Sequence, residues 1–394
     1  MHKEPKIYLS GIRPFKGIHQ TMAVFRSLFF LFVVIFSTMA VDCVSPTPVI
    51  KSAYWPSWAS DFPPSAIDTT LFTHIFYAFL MPNNTTFRFE VSNSEAILLS
   101  NFTSSLHHKN PPVKTIVSIG GGGADPDVFA RMAANSSSRH EFINSAIKIA
   151  RKFGFDGLDL DWEFPANPKE MNDLGYLFKE WRFAINKEAQ ATHRPPLLLT
   201  SAVYYAFEFL IYGGKRAYPV ASISKNLDWI NVMCFDYRGS WDTTVTGAHA
   251  ALYDSKSNVS TSYGLGSWIK AGVPGKKMVM GLPIYGRTWK LEKPEIHGIG
   301  APGIGVGPGD EGTMTFSQVM DFNRKNNATV VYDSDSVSMY SYAGTSWIGY
   351  DDSISVTIKI GFARAHGLTG YFFWAVNGDK DWKISIQASK AWGR

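Results

Sequence analysis

Cysteine is nearly missing. Only Cys43 and Cys234 occur among 394 residues, the first close to an N-terminal leader and the second inside an apolar run. No disulfide framework is expected, so stability must come from a packed core. Surplus charge is missing too, once its location is considered. The formal net charge is +5, but Lys3, Lys6, Arg13, Lys16 and Arg26 all lie in residues 1–40 against Glu4 alone, and without them the remainder stands at +1. No polybasic patch is left to bind phosphates, which argues against a nucleic-acid partner. A membrane span is lacking as well. The uncharged run Ser27–Val41 is short of the about 20 residues a bilayer needs, and no later stretch reaches that length with enough apolar character. No stable membrane anchor is expected. Internal repeats are absent, and so are low-complexity linkers beyond about residue 48.

What is present begins with that leader. Arg26 precedes the apolar run Leu28–Phe36, and Ser37-Thr38-Met39-Ala40 offers small residues for cleavage. This is the pattern of a secretory signal peptide over residues 1–40. Residues 1–21 are unusually polar for one, which makes Met22 an alternative start. Pro46-Thr47-Pro48 reads as a short tether. In a secreted chain the sequons at Asn83, Asn84, Asn101, Asn135, Asn258 and Asn327 become glycan sites on surface loops.

The rest is 45 % hydrophobic over the whole chain, enough for one large α/β domain or two modest ones. Short apolar runs recur through it. They are Val49–Trp55, Thr73–Leu80, Lys114–Ile119, Phe155–Glu163, Leu197–Tyr205, Trp229–Tyr237, Lys277–Tyr285 and Thr369–Trp374. Each is apolar on both faces and bounded by turn residues, as buried parallel strands are. Helical patterns lie between them. Ser138-Arg-His-Glu141 reads as a capping box opening a helix with Phe142, Ala146, Ile149 and Ala150 on one face, ended by Gly154. Lys169–Ala191 carries Leu174, Phe178, Trp181 and Ile185 on one stripe, and Ser353–His366 stops at Gly367. Eight strands alternating with helices predict an α/β fold, the (β/α)8 TIM barrel, over residues 49–394. One connection is too long. The aromatic-rich stretch Trp289–Gly349 predicts a small α+β insertion subdomain at 289–349, after the seventh strand.

The chemistry points to the fourth strand. Asp156-Gly-Leu-Asp159-Leu-Asp161-Trp-Glu163 alternates acids with Leu158, Leu160 and Trp162. Side chains of a strand alternate between faces, so Asp159, Asp161 and Glu163 form a row at steps of about 6.7 Å. A solvated strand edge would not carry so regular an apolar face. A calcium loop would need a glycine and a later bidentate glutamate. A row of enclosed carboxylates cannot all ionise cheaply, so a proton is expected to remain on Glu163, at its end. No metal or cofactor is called for. The working face of such a barrel lies at the strand C-termini, where Tyr54, Trp55, Phe79, Tyr205, Tyr237, Tyr285 and Trp374 also fall. Flat aromatic surfaces there suit sugar rings.

Ordinary glycosidases flank the scissile bond with two carboxylates about 5–5.5 or 6.5–9.5 Å apart. Asp161 and Glu163 stand on one strand and approach from one side. Either another strand supplies a nucleophile, or the substrate does. A 2-acetamido sugar has one to offer in its carbonyl oxygen, with Asp161 balancing the charge that develops.

These residues resemble a known family. Asp156-x-x-Asp159-x-Asp161-x-Glu163 is similar to the DxxDxDxE signature of family 18 glycoside hydrolases. Ser118-Ile-Gly120-Gly121 resembles its SxGG motif, Met233-Cys-Phe235-Asp236 its MxYD motif, and Trp374 the tryptophan at the floor of its sugar site. The long insert resembles its chitinase insertion domain. The resemblance spans about residues 49–393 and lies towards plant class V chitinases. It implies an endo-acting retaining hydrolase of β-1,4-linked N-acetylglucosamine, acting on chitin, chito-oligosaccharides or lipo-chitooligosaccharides such as legume Nod factors. The leader would deliver it to the cell wall or apoplast, and no self-complementary apolar stripe argues against a monomer. The resemblance implies Glu163 as general acid and base, Asp161 orienting the acetamido group and Asp159 sharing a proton below. It implies that Tyr54, Phe79, Met233, Asp236 and Trp374 shape the subsite, with Ser118 and Gly120 beside them. Tyr285 and Arg287 would line its acceptor or donor side. One position departs from the pattern: Phe235 stands where the motif has tyrosine. Tyr237, two residues on, is the candidate for a substitute hydroxyl. The alternative is a lectin or enzyme-inhibitor protein on the same fold, although such relatives usually lack the glutamate that Glu163 provides.

Overall fold

Eight runs with no solvent face need cover on both sides, and a parallel sheet closed on itself provides it while leaving no edge open. In the computed structural model they form that barrel: β1 (Ile50–Pro56), β2 (His74–Leu80), β3 (Lys114–Gly120), β4 (Gly157–Asp161), β5 (Leu198–Tyr204), β8 (Trp229–Met233), β9 (Met278–Pro283) and β16 (Gly370–Trp374), closing in the order β1-β16-β9-β8-β5-β4-β3-β2. Between β5 and β8 runs a hairpin of β6 (Glu208–Ile211) and β7 (Gly214–Ala217). The structure describes residues 49–211 and 214–393. The leader, Cys43 and the Pro46–Pro48 tether lie outside them. Among the described residues, no helix is long and apolar enough to cross a membrane.

The barrel is wrapped by α1 (Asn93–His107), α2 (Pro126–Ala133), α3 (Ser136–Phe153), α4 (Pro168–Thr192), α5 (Val220–Asn226) and α6 (Thr261–Ala271). Strand parity divides the core in two. Outward residues such as Ala53, Leu158, Leu160 and Val203 pack under the helices, whereas Tyr54, Phe76, Ile116, Trp229, Val279 and Phe372 fill the barrel interior. The stripe Leu174, Phe178, Trp181 and Ile185 of α4 is buried as its spacing requires. At α3 the start differs from the expected capping box. Asn135 caps it, its Oδ1 accepting the Ser138 N–H at 2.9 Å. Glu141, free of capping duty, pairs with Arg88 at 2.6 Å. Gly154 ends the helix in the left-handed conformation, φ 77°, which costs glycine no Cβ clash.

The long connection is an antiparallel sheet. It comprises β10 (Tyr285–Leu291), β11 (Gly303–Val306), β12 (Thr313–Thr315), β13 (Thr329–Asp333), β14 (Ser338–Ala343) and β15 (Ser346–Tyr350), with α7 (Phe316–Lys325). The sheet opens at Tyr285 rather than 289, directly after the last barrel contact, the Ile284 N–H on the Trp374 carbonyl at 2.8 Å. Then α8 (Ser353–Ala365), β16 and α9 (Lys383–Trp392) complete the barrel. Strand β8 likewise ends before Tyr237: Asp236 takes φ 57° and turns the chain away.

Candidate active site

The row of acids sits where the alternation put it. Leu158, Leu160 and Trp162 are buried beneath helices, and Asp159 and Asp161 project into the barrel, with Glu163 just past the strand end. The first acid of the run has another task. Asp156 Oδ2 accepts the Thr115 N–H at 2.8 Å and contacts His107 Nε2 at 2.9 Å, pinning β4 to β3 at the far end of the barrel.

Asp159 is fully enclosed. Its Oδ2 accepts the hydroxyls of Ser118 at 2.7 Å and Tyr54 at 2.9 Å, and its Oδ1 that of Thr200 at 2.6 Å. Burial raises this carboxyl, and the three donors oppose the rise. Asp161 has no such help. No N–H or O–H donor among the described residues reaches its buried Oδ1, while its carboxyl meets that of Glu163. Burial, then the charges of Glu163 and Asp159, push it well above the carboxylate range. Glu163 is pushed up to about 7, by burial first and then by the charge of Asp236. Two touching carboxyls in such surroundings hold one proton between them.

Glycines at the end of β3 let the chain press against this pair. Gly120 has φ 113°, and a Cβ there would stand 2.1 Å from the Asp161 carbonyl oxygen. The Gly121 N–H donates to that same oxygen at 2.8 Å. Ser118 and Gly120 therefore lie behind the acids and support them, rather than lining the wall a substrate meets.

Above the pair opens a cavity of about 290 Å³. Tyr54, Phe79, Met233, Phe235, Asp236 and Trp374 line it, as do Gly122, Phe164, Ala202, Tyr204 and Phe372. Phe79 stacks on Trp374 with centroids 5.5 Å apart, and Trp58, 63 % exposed, extends the aromatic rim 6.4 Å from Trp374. A register shift in β2 between Tyr77 and Leu80 accompanies Phe79's place on the inner wall. Tyr285 and Arg287 stand behind Asp236. Arg287 Nε and an Nη lie 2.8 and 2.7 Å from Asp236 Oδ1. Burial would raise Asp236, but the His249 ring, its Nδ1 3.9 Å from Asp236 Oδ1, and the Arg287 charge outweigh it and hold this carboxyl below its ordinary range.

Three aromatics placed at the cavity by their position in sequence face the other way. Trp55 and Tyr205 take the outward parity of β1 and of the end of β5, in the outer packing. Tyr237 is the important correction. Its hydroxyl is buried against Thr261 Oγ1 at 3.0 Å, so it offers no substitute for the hydroxyl that Phe235 lacks. Conversely, Ala202 and Tyr204 line the cavity without belonging to any motif. They share the inward parity of Thr200, so the strand period alone would have found them. Among the described residues, no group of three or more His, Cys, Asp or Glu is placed to hold a metal ion.

A carboxyl that keeps its proton near neutrality, beside a buried partner and under an aromatic-walled cavity at the strand C-termini, defines a glycoside hydrolase. The chain belongs to the glycosyl hydrolases family 18, whose model matches residues 51–379. It is 54 % identical over 344 residues to the class V chitinase CHIT5b of Medicago truncatula, covering 87 % of this chain and 90 % of that one. It is also 54 % identical over 351 residues to Nod factor hydrolase protein 1 of the same plant, covering 88 % and 90 %. A crystal structure of a class V chitinase from Nicotiana tobaccum in complex with NAG4 superimposes with a TM-score of 0.83 at 42 % identity, over 88 % of this chain and 99 % of that one.

Proposed function

We propose that this protein cleaves β-1,4 bonds between N-acetylglucosamine units in chain interiors, with retention, using the sugar's own acetamido oxygen as nucleophile. The observation that carries this is the one-sided acid pair. Among the described residues, the only other carboxylate on the cavity wall is Asp236, and its Oδ1 is held by two nitrogens of Arg287. A carboxylate so paired is a poor nucleophile. Glu163 gives its proton to the leaving oxygen, and the acetamido oxygen attacks the anomeric carbon from the opposite face. Asp161 accepts the acetamido N–H and balances the oxazolinium charge. Glu163, now ionised, takes a proton from the incoming water. The stacked Phe79 and Trp374 supply a flat apolar floor for the ring.

Lipo-chitooligosaccharides are included in the proposed substrate class. Product analysis separates the cases. With N-acetylglucosamine hexamer and a lipo-chitooligosaccharide offered in parallel, shorter oligomers released first as the β-anomer are expected. Inverted product would overturn the substrate-assisted route. Binding of the hexamer without cleavage would establish the lectin alternative.

Phe235 tunes this reaction. Its ring lies on the cavity wall, 6.0 Å from Phe372 and 6.3 Å from Tyr285, with no hydroxyl to offer the attacking oxygen. Phe235→Tyr is expected to raise kcat on plain oligomers about tenfold, a fraction of what a charge-stabilising donor can supply. An unchanged kcat would mean that this hydroxyl does not limit the reaction.

We also assign the leader to secretion. In support, Asn84, Asn101, Asn135, Asn258 and Asn327 are exposed, although Asn101 lies on α1 and not in a loop. A mass decrease on deglycosylation of protein collected from plant medium is the expected result.

A further inference from the structure

Trp229 and Asn231 lie below the acids, on the inward face of β8, and take no part in the chemistry described so far. Both are buried, Asn231 completely. Trp229 Nε1–H donates to Asn231 Oδ1 at 3.0 Å. Asn231 Nδ2–H donates to the Tyr54 hydroxyl oxygen at 2.9 Å. Tyr54 O–H donates to Asp159 Oδ2 at 2.9 Å. The direction of this chain follows from its first member. An indole N–H can only donate. It therefore requires the oxygen of the Asn231 amide, which turns the NH2 towards Tyr54. With that donor on its oxygen, the Tyr54 hydroxyl must send its own hydrogen elsewhere, and Asp159 is the acceptor.

We propose that Asn231, oriented by Trp229, is a positioning residue that fixes the direction of the Tyr54 hydroxyl and so keeps Asp159 surrounded by three donors. Ser118 from β3 and Thr200 from β5 contribute the other two and are uncharged. The titratable neighbours are few. Tyr54 faces Asp159 from β1 and Asp161 from its own strand, with Glu163 beyond. From β2, His74 lies edge-on to the Trp229 ring at 5.1 Å, held neutral with its pKa lowered to about 4 by burial. Three donors favour the ionised form of Asp159, and its negative charge helps keep the shared proton on the Asp161–Glu163 pair. This inference deepens the hydrolase reading, but its first test does not depend on turnover.

The test is Asn231→Asp, which is isosteric. One oxygen of the introduced carboxylate still accepts the indole N–H, but the other can only draw the Tyr54 hydrogen towards itself, away from Asp159. In the resting enzyme, the 13Cγ resonance of Asp159, assigned by its loss in Asp159→Asn, is expected to titrate about one pH unit higher than in the wild type. The acidic limb of kcat on the hexamer moves up by a similar amount, with KM changed less than about twofold. In a Tyr54→Phe background only the through-space effect of the introduced charge remains, so adding Asn231→Asp shifts the Asp159 titration by less. If Asn231→Asp does not fold, Trp229→Phe removes the donor that orients the amide, and a smaller shift in the same direction is expected. An Asp159 titration unmoved in the folded variant, or moved equally with and without the Tyr54 hydroxyl, would overturn the proposal. A wild type that cleaves no oligomer would instead overturn the hydrolase reading, leaving the resonance to decide this one.

Discussion

Glu163→Gln is expected to lower kcat on the N-acetylglucosamine hexamer by about 10²–10⁴-fold, the range of a general acid and base, while oligomer binding persists. Glutamine keeps the shape of the side chain and removes only the proton it transfers. The pH profile carries the same signature. Protonated Glu163 is the active form, and its pKa is pushed up to about 7, so wild-type activity falls as the pH rises through about 7. The residual activity of the variant loses that limb. Stability moves in a defined direction as well. The folded value is raised above the ordinary 4.5. The protein therefore gives up stability as the pH rises from about 4.5 through about 7, because the folded state resists losing that proton. Glu163→Gln removes this cost. The variant should melt higher than the wild type above pH 7 and at the same temperature below about pH 4, as thermal scans across pH would show. Substantial turnover by the variant, or an unchanged alkaline limb, would remove Glu163 from the role of acid.

Much of this was legible in the sequence because two periods carry it. Strand alternation placed Asp159 and Asp161 on the inner face and Leu158, Leu160 and Trp162 on the outer one, as the structure has them. Aromatics near the strand ends were harder, because one residue of register decides the face. Tyr204 and Tyr205 are adjacent, yet one lines the cavity and the other packs outside it. Tyr237 failed as a substitute hydroxyl for a related reason: β8 ends at Met233, so the alternation cannot be carried on to residue 237. The Trp229–Asn231–Tyr54 chain was invisible because its partners are 177 residues apart. No local pattern marks a hydrogen bond that exists only once the barrel has closed. The start of α3 has a different cause. Asn135 offered its side chain one turn before the expected serine, and a string of three serines gives no local reason to prefer either start.

Lys359 is the second large effect, and it too is absent from any local pattern. A lysine in an exposed helix would ordinarily point to water. In α8 this side chain is 1 % exposed, as is that of Asp351, with Nζ 2.7 and 2.6 Å from the two Asp351 oxygens. Its third hydrogen goes to the Ala250 carbonyl. That carbonyl follows His249, whose own backbone oxygen accepts the Tyr237 N–H at 2.9 Å and whose ring lies 3.9 Å from Asp236. The pair thus ties α8 to the loop behind the cavity wall. Removing one partner of a buried ion pair leaves the other charged and unsatisfied, which costs about 3–5 kcal/mol. Lys359→Ala should therefore lower the unfolding free energy by that amount in urea titration. KM for the oligomer should rise, because the loop that holds His249 against Asp236 loses its anchor. Replacing both partners by apolar residues of similar volume, Lys359→Met with Asp351→Leu, should restore most of the stability but not KM, since the Ala250 carbonyl stays unbonded. A single variant as stable as the wild type would show that the pair is solvated. A double variant that recovers KM as well would show that the anchor to Ala250 does not reach Asp236.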